Sequence, residues 1–129
     1  MFNSSWFENL NTPFLAPPDW IFMPVWTVLY ILIFISLIFY IFAKYPNKQS
    51  GYVYFIIQMI LNLLWTPAFF AWQNILLAFI IIILLDIFVY LNYKKFYSVS
   101  KISALLLIPY MIWIAFATYL NGGYLVLNQ

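Results

Sequence analysis

The sequence predicts an all-α fold, an integral membrane bundle of four transmembrane helices in a single domain. Three observations carry that prediction. The chain is 67% hydrophobic and 6% charged, whereas a soluble domain carries about a quarter charged residues. Too little polar surface exists to coat a water-facing globule, so the apolar excess faces lipid. The apolar residues also fall into separate runs, each close to the roughly 20 residues that cross the hydrocarbon core as a helix. Finally, every basic residue lies in one of two short gaps between runs: Lys44 and Lys48 in the first, Lys94, Lys95 and Lys101 in the second.

Taken in order, residues 1–20 carry Glu8 and Asp19, no lysine and several prolines. A secretory signal would begin with a basic stretch followed by an apolar one, so this segment is not one. Pro17-Pro18 cannot be helical, and the segment is expected to be an extended outer loop or lid. The runs at about 21–43, 52–71, 74–93 and 102–120 are the four helices. Helices are required because backbone groups in lipid must be satisfied within the segment, and no barrel-type alternation is present. The polar stretch Tyr45-Pro46-Asn47-Lys48-Gln49-Ser50-Gly51 separates the first two runs as a turn-rich loop. Trp72-Gln73-Asn74 alone separates the next two, which makes a tight antiparallel hairpin. Ser98 and Ser100 are available as N-caps for the last helix. Pro24 lies near a helix start, where a missing donor costs little; Pro67 and Pro109 lie inside helices and are expected to kink them.

The positive-inside rule orients the bundle. Both lysine gaps are expected on the cytoplasmic side, with the N-terminal segment, the Trp72–Asn74 turn and the C-terminus on the outer side. A net charge of +2 is too small and too localised for nucleic-acid binding. The chain has no cysteine and no histidine, which excludes disulfides, thiolate nucleophiles, the usual zinc sites and histidine-ligated haem.

Two polar and aromatic stripes stand out. Gln58, Asn62, Trp65 and Thr66 share one face of the second helix. Amides in hydrocarbon need partners, and two readings are open: hydrogen-bonded glue between helices, or polar handles inside a ligand cavity. Tyr110, Trp113, Ala117 and Asn121 form a stripe on the fourth helix, with small Ala117 opening space beside Trp113. Trp26 and Tyr30 share a face of the first helix. Trp6, Trp20 and Trp72 lie near helix ends and read as interfacial anchors. Asp86 is the ionisable residue inside a span. It is either a site residue or a carboxyl hydrogen-bonded to Tyr90 or to a neighbouring helix.

Taken in order, these segments resemble the translocator protein family, also called the tryptophan-rich sensory protein or peripheral benzodiazepine receptor family. Trp6-Phe7 followed by Leu10, Pro13, Pro17-Pro18 and Phe22 is similar to the family's first loop. Val25-Trp26-Thr27-Val28-Leu29-Tyr30 is similar to its second-helix signature. Gln58, Asn62, Trp65 and Phe69-Phe70 resemble its third-helix motif. Residues 104–110 with Trp113, Phe116-Ala117 and Tyr119-Leu120-Asn121 resemble its fifth-helix motif. The order and spacing of these motifs make the resemblance specific. It implies a five-helix bundle, a homodimer, and a pocket beneath the first loop. That pocket would be lined by Trp26, Asn62, Trp113 and Ala117, with Tyr30, Gln58, Trp65, Phe69 and Tyr110 around them.

The family's first helix has no counterpart here. The expectation is a truncated member, a misassigned start, or a partner helix that fills the gap. Phe7 stands where the family often has tyrosine, and Asp86 matches no family motif. No basic residue follows Lys101, so the sterol motif proposed near the family's C-terminus is absent. Lys94-Lys95-Phe96-Tyr97-Ser98-Val99 fits only the reversed pattern.

The leading functional expectation is a membrane receptor or sensor for a planar aromatic ligand, a tetrapyrrole such as protoporphyrin or haem. No cofactor is required and no catalytic residue is named. A transporter of porphyrin or sterol-like ligands is the alternative, together with a structural or regulatory subunit completed by a partner helix. No nucleophile–base pair is evident, so an enzyme is not expected; an activity degrading porphyrin is the alternative that the family resemblance leaves open.

Overall fold

The computed structural model describes residues 10–13 and 19–128. Its regular secondary structure over those residues is entirely helical. A short 3-10 turn, Asp19–Ile21, leads into α1, Phe22–Phe42. Then follow α2, Gln49–Thr66, continued by a π turn at Pro67–Ala71, and α3, Ile75–Val99. The last span is α4, Lys101–Leu105, followed by α5, Ile108–Leu127. By length and composition four helical segments among the described residues suffice to cross a membrane: Phe22–Phe42, Gln49–Ala71, Ile75–Val99 and Lys101–Leu127.

Each span buries a narrow seam and leaves the rest to lipid. On α1 the seam is Leu29, Ile33, Ser36 and Tyr40. On α3 it runs from Ala78 through Leu85, Val89 and Asn92 to Phe96. On α5 it is Tyr110, Ile114, Ala117, Asn121 and Tyr124. These repeats of three and four follow the helix period. Outward residues such as Phe34, Ile38, Ile60, Leu63 and Ile112 are just as apolar and stay exposed. Lipid tails give no hydrophobic drive for helix association, so close packing and interhelical hydrogen bonds hold the seams together.

α3 is central. It packs along α2 on one side and along α4 and α5 on the other, while α1 lies against α4 and α5. The α1–α4 contact is locked by two serines. Ser36 Oγ donates to the Ser103 carbonyl at 2.6 Å, and Ser103 Oγ donates to the Ser36 carbonyl at 2.6 Å. α1 meets α2 through long side chains. The Tyr30 hydroxyl donates to Asn62 Oδ1, and the Tyr40 hydroxyl donates to the Lys48 carbonyl at 2.7 Å.

Both internal prolines coincide with a change in helix geometry. Pro67 cannot donate to the carbonyl four residues back. The chain widens there into the π turn, closed by Trp72 N–H donating to the Pro67 carbonyl at 2.8 Å. Pro109 frees the Leu105 carbonyl in the same way, and the helix is interrupted at Leu106–Leu107 just before it. Gln73 takes a φ of 52°, the left-handed turn that reverses the chain into α3.

Several limits differ from those expected. The second helix begins at Gln49, not 52, so Gln49, Ser50 and Gly51 belong to its first turn. Gly51 fits because a Cβ there would collide with the Tyr40 hydroxyl. The third helix runs past 93 to Val99, so Lys94 and Lys95 are helical and the second lysine gap is not a loop. A helix need not end where hydrocarbon ends, since lysine side chains carry their charge to the interface. Asn74 lies outside α3 as its N-cap, accepting from Leu77 N–H at 3.0 Å. Ser100 is the N-cap of α4, accepting from Ser103 N–H at 3.3 Å. The last helix continues past 120 to Leu127. Gly122 and Gly123 stay helical in close packing. A Cβ on Gly122 would lie 3.1 Å from the Phe79 ring, and one on Gly123 2.5 Å from Pro13.

Of the first segment, residues 10–13 dock on the end of α5. Asn11 N–H donates to Asn128 Oδ1 at 2.8 Å, and Asn128 Nδ2 donates back to the Asn11 carbonyl at 3.0 Å. Pro13 is buried. Trp6, Phe7 and Pro17-Pro18 lie outside the described residues. Trp20 and Trp72 are both mostly exposed at helix ends.

Candidate functional site

The polar stripe of α2 faces inward. Gln58 is fully buried and Asn62 nearly so. Their amides join a continuous chain of hydrogen bonds across the bundle. Tyr30 of α1 donates to Asn62 Oδ1. Asn62 Nδ2 donates to the Tyr110 hydroxyl at 2.7 Å. Tyr110 donates in turn to Gln58 Oε1 at 2.8 Å. One hydroxyl on α5 therefore sits between two amides from α2, accepting from Asn62 Nδ2 and donating to Gln58 Oε1, atoms that would otherwise lack partners in an apolar interior. The chain links three helices, which is the interhelical role open to such amides.

Aromatic rings surround this chain. Trp26 lies 5.6 Å from Tyr30, 6.4 Å from Tyr110 and 6.4 Å from Trp113, measured between centroids. The contacts to Tyr110 and Trp113 are edge-to-face, a favourable geometry for ring quadrupoles. Trp113 also meets Phe22 at 5.7 Å and Phe116 at 5.8 Å. Ala117 is buried in the same core, one turn along α5 from Trp113.

Two donors at this site remain unused. Gln58 Nε2 and Trp113 Nε1 are buried with no hydrogen-bond partner among the described residues. Most buried polar atoms in folded proteins are partnered. Each unpaired donor marks a place where an acceptor would be stabilised.

The other two residues expected at the site lie toward the hairpin end. Trp65 Nε1 donates to Asn121 Oδ1 at 2.8 Å, and Asn121 Nδ2 donates to the Ile75 carbonyl at 3.1 Å. Phe69 is buried in a second core cluster with Ala68, Leu120 and Tyr124. Trp65 touches both clusters and connects them. A cavity of about 410 Å³ opens at this end, lined by Trp72, Asn74, Leu125 and Asn128. None of the residues expected at the site lines it.

Asp86 pairs across helices. Thr118 Oγ1 lies 2.5 Å from Asp86 Oδ2 and 2.8 Å from the Ile114 carbonyl. The partner is therefore on α5, not Tyr90, which is exposed with Lys94 Nζ 5.8 Å from its ring. Thr118 was not singled out from sequence, although a hydroxyl in an apolar run is a readable signal. The same holds for Ser36 and Ser103. Asn92 was also missed: it is fully buried, and neither its nitrogen nor its oxygen has a partner among the described residues. No group of three or more His, Cys, Asp or Glu side chains able to hold a metal occurs among the described residues.

A multi-pass helical membrane protein, whose interior is a tryptophan- and tyrosine-lined cluster bridged by amides, is the class that this fold and site define. The chain matches the TspO/MBR family over residues 1–127, and it belongs to that family. It is 41% identical to a tryptophan-rich protein TspO of Chlorobaculum tepidum, over 97% of this chain and 81% of the relative. A tryptophan-rich protein TspO of Archaeoglobus fulgidus is 42% identical, covering 96% and 80% respectively. The human translocator protein is 30% identical, covering 90% of this chain and 70% of its own length.

Proposed function

We propose that the protein is a membrane receptor for a planar aromatic ligand bearing hydrogen-bond acceptors, with a tetrapyrrole such as protoporphyrin or haem as the best candidate. The observation that carries this reading is the pair of unpaired buried donors, Gln58 Nε2 and Trp113 Nε1, beside the Trp26–Tyr30–Tyr110 rings. A flat macrocycle stacks on such rings, and its carboxylate or carbonyl groups accept from the two donors. Without histidine or cysteine in the chain, affinity comes from the rings and amides, and a metal-free porphyrin is served as well as haem. Asn62 and Tyr110 fix the Gln58 amide that presents its free donor.

Titration of the purified protein with protoporphyrin tests this, read by quenching of tryptophan fluorescence. Saturable quenching is expected, with weaker affinity in Trp113→Ala and Gln58→Leu. Absence of saturation in the wild type, or unchanged affinity in both variants, would falsify the proposal. The homodimer implied by family resemblance belongs to the same reading, and native mass spectrometry in detergent measures it directly. So does the orientation with the lysine-bearing end in the cytoplasm, which follows from the positive-inside rule.

A further inference from the structure

A cavity of about 170 Å³ lies at the lysine-bearing end of the bundle, lined by none of the residues of the aromatic site. At about 30 Å³ per water, it has room for several waters or for one small polyatomic headgroup. Tyr45, Asn47 and Ser50 line it from the α1–α2 connection and the first turn of α2, and Lys95 and Ser98 from the last turns of α3. The buried Tyr40 ring adds an apolar wall.

The cavity is rich in donors. Lys48 is committed elsewhere: its Nζ donates to the carbonyls of Ile41 at 2.7 Å and Ala43 at 2.9 Å, closing the end of α1. Lys94 sits over the Tyr90 ring. Lys95 is the lysine that reaches the cavity. Its ammonium has no partner among the described residues, and no carboxylate occurs in residues 43–51 or 93–101. The side chains of Tyr45, Asn47 and Ser50 likewise have no hydrogen-bond partner among the described residues. Ser98 spends its proton on the Lys95 carbonyl at 2.7 Å. α2 also begins here without a side-chain cap. One free cation and three neutral donors therefore converge on one space, with no negative charge nearby.

We propose that this cavity binds the phosphate group of an anionic phospholipid, with Lys95 as the charge partner and Asn47, Ser50 and Tyr45 as neutral donors. Phosphate supplies the acceptor oxygens and the negative charge that these groups lack. A lipid is the favoured source because the cavity lies at the ends of membrane spans, where headgroups reside. Basic pockets between spans at the cytoplasmic face bind such headgroups.

Native mass spectrometry of the full chain in micelles with equimolar phosphatidylglycerol and phosphatidylcholine tests the proposal. The wild type is expected to retain phosphatidylglycerol preferentially. Lys95→Gln should weaken that preference about fivefold, the effect of one lysine near the headgroup. Lys101→Gln removes the same charge from the same end outside the cavity and should leave the preference intact. Asn47→Leu keeps every lysine and should also weaken it, which guards against misfolding of a single variant; circular dichroism checks helix content in each. A second arm omits anionic lipid and adds inorganic phosphate. Stabilisation by phosphate that Lys95→Gln removes, without lipid preference, keeps the phosphate chemistry and assigns a soluble source. Equal effects of Lys95→Gln and Lys101→Gln, or no effect of either phosphate form, overturn the proposal.

Discussion

Ser36 and Ser103 each donate a hydroxyl to the other's backbone carbonyl, at 2.6 Å in both directions. Both residues are fully buried, and the hydroxyls themselves lie 3.2 Å apart. The pair ties α1 to the first turn of α4. Interhelical hydrogen bonds of this kind are worth about 0.6 kcal/mol on average, and up to about 1.7. Ser36→Ala and Ser103→Ala should therefore each lower stability by about 1 kcal/mol, with the double variant losing less than the sum. Denaturation in mixed micelles reads this, and full additivity would show that the two hydroxyls act independently.

Tyr110→Phe should be more damaging than Tyr30→Phe. The Tyr110 hydroxyl serves both Asn62 and Gln58, so its loss strands a donor and an acceptor in the interior. Tyr30 serves Asn62 alone. A cost of about 1–3 kcal/mol per stranded group sets the scale. Thermal unfolding of the two variants side by side checks the order; equal midpoints would contradict the network.

Thr118→Val should cost more than Asp86→Leu. Removing the threonine hydroxyl leaves a carboxyl without its hydrogen bond in a span. Removing the carboxyl leaves Thr118 still bonded to the Ile114 carbonyl at 2.8 Å. The asymmetry follows from the price of an unmet buried polar group. Asp86→Asn keeps a partner for Thr118 and should be nearly neutral. Folded yield and unfolding midpoint in detergent measure all three.

Gly123→Val should release the 10–13 segment from the bundle. A Cβ at that position would lie within 2.5 Å of Pro13, and the Asn11–Asn128 hydrogen bonds depend on that approach. The expected result is faster proteolysis before α1 with helix content unchanged. Unaltered cleavage would mean that the segment is held by something other than this contact.

The absence of cysteine from the sequence allows single cysteines to be introduced without background. Ser98→Cys in spheroplasts should resist an impermeant thiol reagent until the membrane is opened, whereas Gln73→Cys should react at once. Reversal of the two would invert the orientation expected from the lysines.

The helical class, the spans and the family motifs were legible because each is local. A run of about 20 apolar residues marks a span wherever it packs. The helix limits were less legible. Lys94 and Lys95 continue α3, and Gly122 and Gly123 remain helical in α5. The apolar runs end before both places, at 93 and 120, but the first is tolerated at an interface and the second is held by Phe79 and Pro13.

By itself the sequence determined that this chain is a helical membrane protein, that its lysines share one end, and that Gln58, Asn62, Tyr110 and Trp113 fall on inward-capable faces. Only the tertiary structure decided what those faces meet. In lipid the exposed and buried sides of a helix are equally apolar, so hydrophobic pattern does not point to partners. Polar groups must find one another across helices instead. Tyr110 between Asn62 and Gln58, Ser36 with Ser103, and Asp86 with Thr118 are pairings between residues far apart in the chain. Helix periodicity shows which face each residue occupies, but the order in which the helices pack determines which faces meet.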